Sequence, residues 1–268
     1  MAEVLIGVVG CAGRMGRMLI QEVARTAGCK VAGGVEVKGH AAIGRDLGEL
    51  AGLGPLGVRA SDDPAPLFAG ADAVLDFTTP SATARHAALA AANGAVHVIG
   101  TTGIAAEGEA AIRAAARKVP VVWAPNMSVG VNLLLALVEQ IAARLDPRYD
   151  IEILEMHHRH KVDAPSGTAL GLGRAAAKGR GVALDEVAQR ARDGHAGPRG
   201  VGGIGFAVLR GGDVVGDHTV IFAGEGERIE LTHRAAGRQI YAQGAVRAAL
   251  WGQGKPAGLY SMRDVLGL

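Results

Sequence analysis

The sequence predicts a two-domain α/β protein: a doubly wound, parallel-stranded domain first, then a smaller α+β domain. Three features predict it. Short apolar runs alternate with helix-length stretches through the first half. The pattern changes after about Ser128, where strand-like runs come to follow one another across short turns. A last helix-length stretch, about Gly237 to Trp251, is placed to return to the first domain. Alternation of apolar strands and helices builds a parallel sheet covered on both faces, whereas successive strands with short links pair antiparallel.

Taken in order, Val4 to Val9 is an apolar run ending at a glycine, followed by a helix at about Gly16 to Thr26 and a second strand at Lys30 to Val35. Ala71 to Phe77 repeats the strand pattern, and an Ala-rich helix follows with Ser81 as its N-cap. A strand at Val96 to Ile99, a helix through Ala105 to Arg117 and a strand at Val119 to Trp123 complete the series. Beyond it come a helix (Val131 to Arg144), a strand (Ile151 to Met156) and a helix from about Ser166. Three strand-like runs, Ile204 to Leu209, Val214 to Phe222 and Arg228 to His233, are expected to pair consecutively. The glycine-rich stretch Gly179 to Gly205 is read in part as a mobile loop.

Composition narrows the function classes. Of 268 residues, 49% are hydrophobic and 20% charged, a globular balance, and the net charge is only +2. With no Lys/Arg block, the chain lacks the charge concentration of a nucleic-acid binder. The start has no signal-peptide pattern, and the longest apolar stretch, Val129 to Leu145, is broken by Asn132, Glu139 and Gln140. Cys11 and Cys29 make neither a disulfide framework nor a metal quartet. A soluble, cytoplasmic protein without membrane or nucleic-acid partners is expected.

The turn after the first strand reads Gly10-Cys11-Ala12-Gly13-Arg14-Met15-Gly16. Glycines permit a tight turn and close approach to a pyrophosphate, and the helix start offers unpaired N–H groups at its positive end. The spacing is G-x-x-G-x-x-G rather than G-x-G-x-x-G, but a strand precedes it and a helix follows. Glu36 ends the second strand, where a ribose 2′-hydroxyl is expected. These features point to a Rossmann-type dinucleotide-binding domain. Glu36 favours NADH, because a carboxylate repels a 2′-phosphate, while Lys38 could reach one, so NADH and NADPH both stay open. Phe77-Thr78-Thr79-Pro80, Gly100-Thr101-Thr102-Gly103 and Ala124-Pro125-Asn126-Met127-Ser128 lie at later strand ends, where such ligands bind.

The segment Glu155-Met156-His157-His158-Arg159-His160-Lys161 carries three of the nine histidines and two further cations. Lysine and histidine bind carboxylates and deliver protons. Pro165-Ser166-Gly167-Thr168 then opens a helix, whose free amides and Thr168 hydroxyl form a second anion site. Two anion sites suggest a dicarboxylate substrate. Three other readings compete: a metal site, which lacks an H-E-x-x-H or cysteine partner; a solvated basic patch; and a Ser166 nucleophile, which lacks the G-x-S-x-G elbow.

Together with the segments at 210–218 and 258–266, these motifs closely resemble the dihydrodipicolinate reductase family of the diaminopimelate–lysine pathway, over nearly the whole chain. The resemblance implies a dinucleotide-binding domain of 1–127 plus 238–268, a substrate-binding and tetramerisation domain of 128–237, and a homotetramer. By the same resemblance, Gly10, Cys11, Ala12, Gly13, Arg14, Met15, Glu36, Gly100, Thr101, Thr102, Ala124, Pro125, Asn126 and Met127 contact NADH or NADPH. His158, Gly167 and Thr168 would hold substrate carboxylates, with His157 and Lys161 as the proton-transferring pair and no metal. Two departures bear on the cofactor. Val37 stands where NADPH-using members often have arginine, and Thr79 where some carry a basic residue. The alternatives are a nucleotide-binding sensor without chemistry and another two-domain dehydrogenase. A semialdehyde dehydrogenase needs a cysteine nucleophile in its catalytic region, and both cysteines here lie in the first βαβ unit.

Overall fold

The structure, a computed structural model, describes residues 3–268. Strand β1 (Val4–Val9) sinks into the core at its C-terminal half, and helix α1 (Arg14–Arg25) buries Leu19, Ile20 and Val23 at helical spacing. Strand β2 (Cys29–Val35) lies parallel to β1. Helix α2 (Leu47–Leu50) is capped by Asp46, whose carboxylate accepts the N–H groups of Gly48 and Glu49. Strand β3 (Ala60–Ser61), helix α3 (Pro64–Gly70), strand β4 (Ala73–Asp76), helix α4 (Pro80–Asn93), strand β5 (Val96–Ile99), helix α5 (Ala106–Ala116) and strand β6 (Pro120–Trp123) follow.

Helix α4 starts two residues earlier than an N-cap at Ser81 would set it. Pro80 is its first residue, where a fixed φ suits the helix and the missing N–H has no partner to lose, and Thr79 takes the N-cap place.

Helix α6 (Val129–Ala142), strand β7 (Asp150–His157), helix α7 (Gly167–Gly179), helix α8 (Leu184–Val187), and strands β8 (Ala188–Gln189), β9 (Ile204–Arg210), β10 (Gly216–Ala223) and β11 (Arg228–Ala235) come next. The chain ends with helix α9 (Gln239–Gly252), strand β12 (Gly258–Tyr260) and helix α10 (Met262–Leu266).

Two compact units result. The first runs up to Val129 and takes in Arg238–Gly267; the second is Gly130–Gly237 with Leu268. The first unit holds a seven-stranded, all-parallel sheet in the order β12-β6-β5-β4-β1-β2-β3. Strand order reverses direction between β1 and β4, so a crevice forms beyond their carboxyl ends. One core layer joins Ile6, Val8 and Leu75 to Leu19, Ile20, Ala245 and Val246, on α1 and α9. The other joins Val9, Val74 and Ile99 to Phe68, Ala87, Ala90 and Ile112, on α3, α4 and α5.

The second unit has a five-stranded mixed sheet, β11-β10-β7-β9-β8. Here one expectation fails. β10 pairs antiparallel with β11 as expected, but β9 and β10 do not pair, because β7 lies between them. The crossover through α7 brings β9 parallel to one edge of β7, and the link 211–215 steps over the end of β7 to reach its other edge. That link is tied down as it crosses: Gly211 N–H donates to His157 O, and His158 N–H to Val214 O, at 2.9 and 2.7 Å. The glycine-rich stretch contains α8 and β8, and Arg199 fastens its remainder to β7 through Asp150, Glu152 and the Ile151 carbonyl. Among the described residues no helix is long and apolar enough to cross a membrane.

Candidate active site

In the first unit, Gly10 turns the chain off β1 with φ +72°, a left-handed conformation that favours glycine. Its N–H and that of Cys11 donate to Val35 O, at 2.8 and 3.1 Å, holding the turn against the end of β2. Gly16 allows α1 to start close to this turn, since a Cβ there would lie 2.1 Å from Gly10 O. Glu36 closes the other side: its carboxylate accepts the N–H of Ala12 at 3.1 Å and of Val37 at 3.0 Å. The N-cap of α1 is Gly13, which has no side chain to cap the first-turn amides. They keep their affinity for an anion. Burial, then the nearby Glu36 charge, push the Cys11 thiol up to about 11, so it stays protonated at neutral pH.

A cleft of about 970 Å³ opens at this turn, lined by Gly10, Gly13, Glu36, Lys38, Thr78 and Arg85 among others. A second, of about 320 Å³, is walled by Arg14, Met15, Gly100, Pro125, Asn126 and Met127, with Arg238 and Tyr241 from the end of the unit. Most of the expected cofactor residues thus meet at these clefts. Cys11, Ala12, Thr101, Thr102 and Ala124 line neither. Cys11 and Ala12 are buried behind the turn, and Ala124 N–H donates to Ile99 O at 3.1 Å. An uncapped helix start, a close-approach turn and a carboxylate at the end of β2 fit a dinucleotide.

Thr101 belongs to a network the sequence did not reveal. Asp76, fully buried at the end of β4, accepts from Thr78 Oγ1 at 2.6 Å and Thr78 N–H at 3.1 Å, and bonds His86 Nδ1 at 2.9 Å and His97 Nε2 at 3.3 Å. Thr78 N–H also reaches Thr101 Oγ1, at 3.1 Å, and Thr83 Oγ1 donates to the same oxygen at 2.9 Å. One carboxylate therefore ties together the turns that follow β4 and β5. Burial raises the Asp76 carboxyl, but the bonds from His86 and His97 outweigh it and hold it well below the usual carboxylate range.

In the second unit, β7 buries alternate residues: Ile151, Ile153, Glu155 and His157. The strand period of two therefore carries the core face into two ionisable side chains. His218 on β10 stands opposite Glu155, and Arg210 at the end of β9 stands beside His157. The apolar core thus gives way, at one end of the sheet, to a polar cluster. Glu155 is 1% exposed and every oxygen is used. Oε2 accepts from His157 Nδ1 at 2.6 Å and Arg210 at 2.8 Å; Oε1 accepts from Arg210 at 2.9 Å and Ser166 N–H at 3.0 Å. Burial raises the Glu155 carboxyl, yet these donors, Arg210 foremost, bring it below its ordinary value. An ionised carboxylate has no proton to give, so His157 donates through Nδ1 and its Nε2 is the nitrogen left for chemistry.

Ser166 caps α7, accepting the Ala169 N–H at 3.1 Å. One amide of the expected anion site is therefore satisfied internally. Gly167 is exposed and Thr168 half-buried at the same helix start, and His158 is half-buried at the end of β7. Lys161 Nζ lies 2.8 and 2.9 Å from the Asp163 oxygens, and it holds that carboxyl below its ordinary value. Glu155, Asp163, Arg210 and His218 lie within or beside the segments singled out in the sequence, but no role is readable for them there, and Asp76 lies in no motif. For Glu155 and His218, the alternation of their strands was the readable sign.

The N-terminal model of dihydrodipicolinate reductase matches residues 4–127, and the C-terminal model matches 130–266. The chain belongs to the dihydrodipicolinate reductase family. It is 58% identical over 262 residues to the 4-hydroxy-tetrahydrodipicolinate reductase of Brucella abortus (strain 2308), covering 97% of this chain and 98% of that one. It is 59% identical over 268 residues to that of Parvibaculum lavamentivorans, covering 100% and 99%. Among solved structures, the dipicolinate-bound dihydrodipicolinate reductase from Paenisporosarcina sp. TG-14 superposes with a TM-score of 0.77 at 26% identity, covering 98% of each chain. As a dihydrodipicolinate reductase, the chain is an NAD(P)H-dependent oxidoreductase with a Rossmann-type first domain.

Proposed function

We propose that this chain reduces 4-hydroxy-tetrahydrodipicolinate, by way of dihydrodipicolinate, to tetrahydrodipicolinate in the diaminopimelate route to lysine, working in the cytoplasm as a homotetramer. The reading is supported by whole-length identity to curated reductases. The observation that carries the chemistry is the Glu155-anchored His157 ring, on the strand that leads into Lys161 and the start of α7.

In this reading residues 1–127 and 238–268 hold the dinucleotide, and 128–237 hold the substrate and the subunit contacts. The turn at Gly13 and the first-turn amides of Arg14 and Met15 receive the pyrophosphate, Glu36 meets the adenosine ribose, and the segments at Gly100–Thr102 and Ala124–Met127 flank the nicotinamide. Bound NAD(P)H supplies the hydride that adds at C4 of the substrate, from which the hydroxyl leaves as water.

His158, Gly167 and Thr168 bind the substrate carboxylates, which fixes the ring relative to the proton-transferring groups. Lys161 exchanges Asp163 for the substrate, and its ammonium stabilises the electron-rich product of hydride addition. His157 and Lys161 form the pair that protonates the neighbouring ring carbon. His157 acts through Nε2, because Nδ1 is committed to Glu155.

The test couples the purified protein to dihydrodipicolinate synthase, with pyruvate and aspartate semialdehyde, and follows the loss of reduced-nicotinamide absorbance with NADH and with NADPH. Oxidation that requires the synthase product is expected. Folded protein that binds the nucleotide but oxidises neither form would refute the reading.

A further inference from the structure

The second unit contains a charge arrangement that the proposed chemistry does not by itself explain. His157 Nδ1 and Arg210 share one oxygen of Glu155, while the other arm of the Arg210 fork holds the second oxygen. Arg210 also donates to the Asp163 carbonyl at 2.7 Å, so the same guanidinium anchors the loop that carries Lys161. An unpartnered buried carboxylate 2.6 Å from an imidazole would hold that ring as an imidazolium. A carboxylate already neutralised by a bidentate guanidinium orients the ring with much less pull on its proton.

We propose that Arg210 is a positioning residue that sets the proton affinity of His157 through Glu155, leaving the ring able to give up its Nε2 proton and take it back. The proposal rests on the reading of His157 as a proton-transferring group.

The surroundings of His157 support this assignment. On its own strand it meets Glu155, and on β9 Arg210. On β10 its ring lies edge-on to His218, centroids 5.1 Å apart. Burial, then His157 itself, press His218 down to about 4, so it is neutral and adds no repulsion near neutral pH. Lys161, from the loop after β7, is paired with Asp163. Gly216, at the start of β10, leaves room at the reactive nitrogen: a Cβ there would stand 3.0 Å from His157 Nε2. Glu155 and Arg210 are thus the opposed charges that bear directly on the ring, and removing either should move it in opposite directions.

The experiment titrates the ¹⁵N-labelled histidines of the full chain by NMR, in the unmodified protein and in Arg210→Met, Glu155→Gln and the double variant. Arg210→Met is expected to raise the midpoint of His157 by about one pH unit, and Glu155→Gln to lower it by about one. The double variant should fall close to Glu155→Gln, because Arg210 acts through the carboxylate. Arg210→Lys, which keeps the charge but not the fork, gives a smaller rise and serves if the methionine variant fails to fold. Shifts of the same sign in Arg210→Met and Glu155→Gln, or no shift in folded Arg210→Met, would overturn the proposal. The pH profile of kcat/KM tests the underlying reading separately. If the midpoint moves as stated while the profile stays in place, Arg210 keeps its role and His157 loses its place in turnover.

Discussion

Ser166 and His218 lie 52 residues apart in sequence, yet Ser166 Oγ and His218 Nε2 are 3.0 Å apart, both buried. The hydroxyl also accepts the Ala169 N–H, so it caps a helix and bonds the ring at the same time. The bond joins α7 to β10, and burial keeps the His218 ring neutral near neutral pH.

Stability should therefore fall between about pH 6.5 and pH 4. In that window the unfolded chain protonates His218 while the folded chain, at about 4, does not. The unfolded state then binds more protons, so stability rises with pH across the window and levels off above it. The loss amounts to roughly 3 kcal/mol from this one group. Urea titrations at stepped pH should show it, and His218→Gln should flatten that part of the curve.

Lys161→Ala should lower turnover by about 10²- to 10⁴-fold and leave the NADH dissociation constant within about twofold. The side chain belongs to the second unit, whereas the dinucleotide turn belongs to the first. Stopped-flow turnover and NADH fluorescence titration separate the two effects; equal losses in both would place Lys161 elsewhere in the cycle.

Asp76→Asn should weaken NADH binding about tenfold and cost about 2 kcal/mol of stability, since one buried carboxylate accepts from Thr78 and Thr101 in the turns after β4 and β5. Calorimetry with NADH, paired with denaturant unfolding, gives both numbers. A stability loss with unchanged affinity would mean that the turns hold their shape without it.

Val37→Arg should raise the NADPH-to-NADH preference by about tenfold. Val37 is 69% exposed beside Glu36 and lines the larger cleft, so an arginine there can fork onto a 2′-phosphate without disturbing the core. Dissociation constants for the two nucleotides settle the ratio.

The parallel sheet was legible because its strands are apolar on both faces: β1, β4 and β5 leave almost no other reading. β3 and β12, two and three residues long, are too short for any periodicity to register. A short link after β9 reads as a hairpin in sequence, and the pairing differs because β7 lies between β9 and β10. At the site, the motif residues His157 and Lys161 could be named from sequence. What surrounds Glu155 could not, because Arg210 and His218 come beside His157 and Glu155 through strand register, and register is not written in local spacing. Asp76 was hidden for the same reason: its partners His86 and His97 come from a helix and from the neighbouring strand.

The first unit is interrupted: β12 pairs with β6, and Ala242, Ala245, Val246 and Ala249 of α9 complete its core, yet 108 intervening residues, Gly130–Gly237, fold as the other unit. On the ribosome the order of completion is thereby reversed. The inserted unit is contiguous and can close as soon as β11 emerges, while the earlier-made sheet waits, with one apolar face covered only in part by α1, for the last thirty or so residues to arrive. A nascent chain stalled before Arg238 would carry that part-covered face and call on chaperones; one released after α10 would bury it at once.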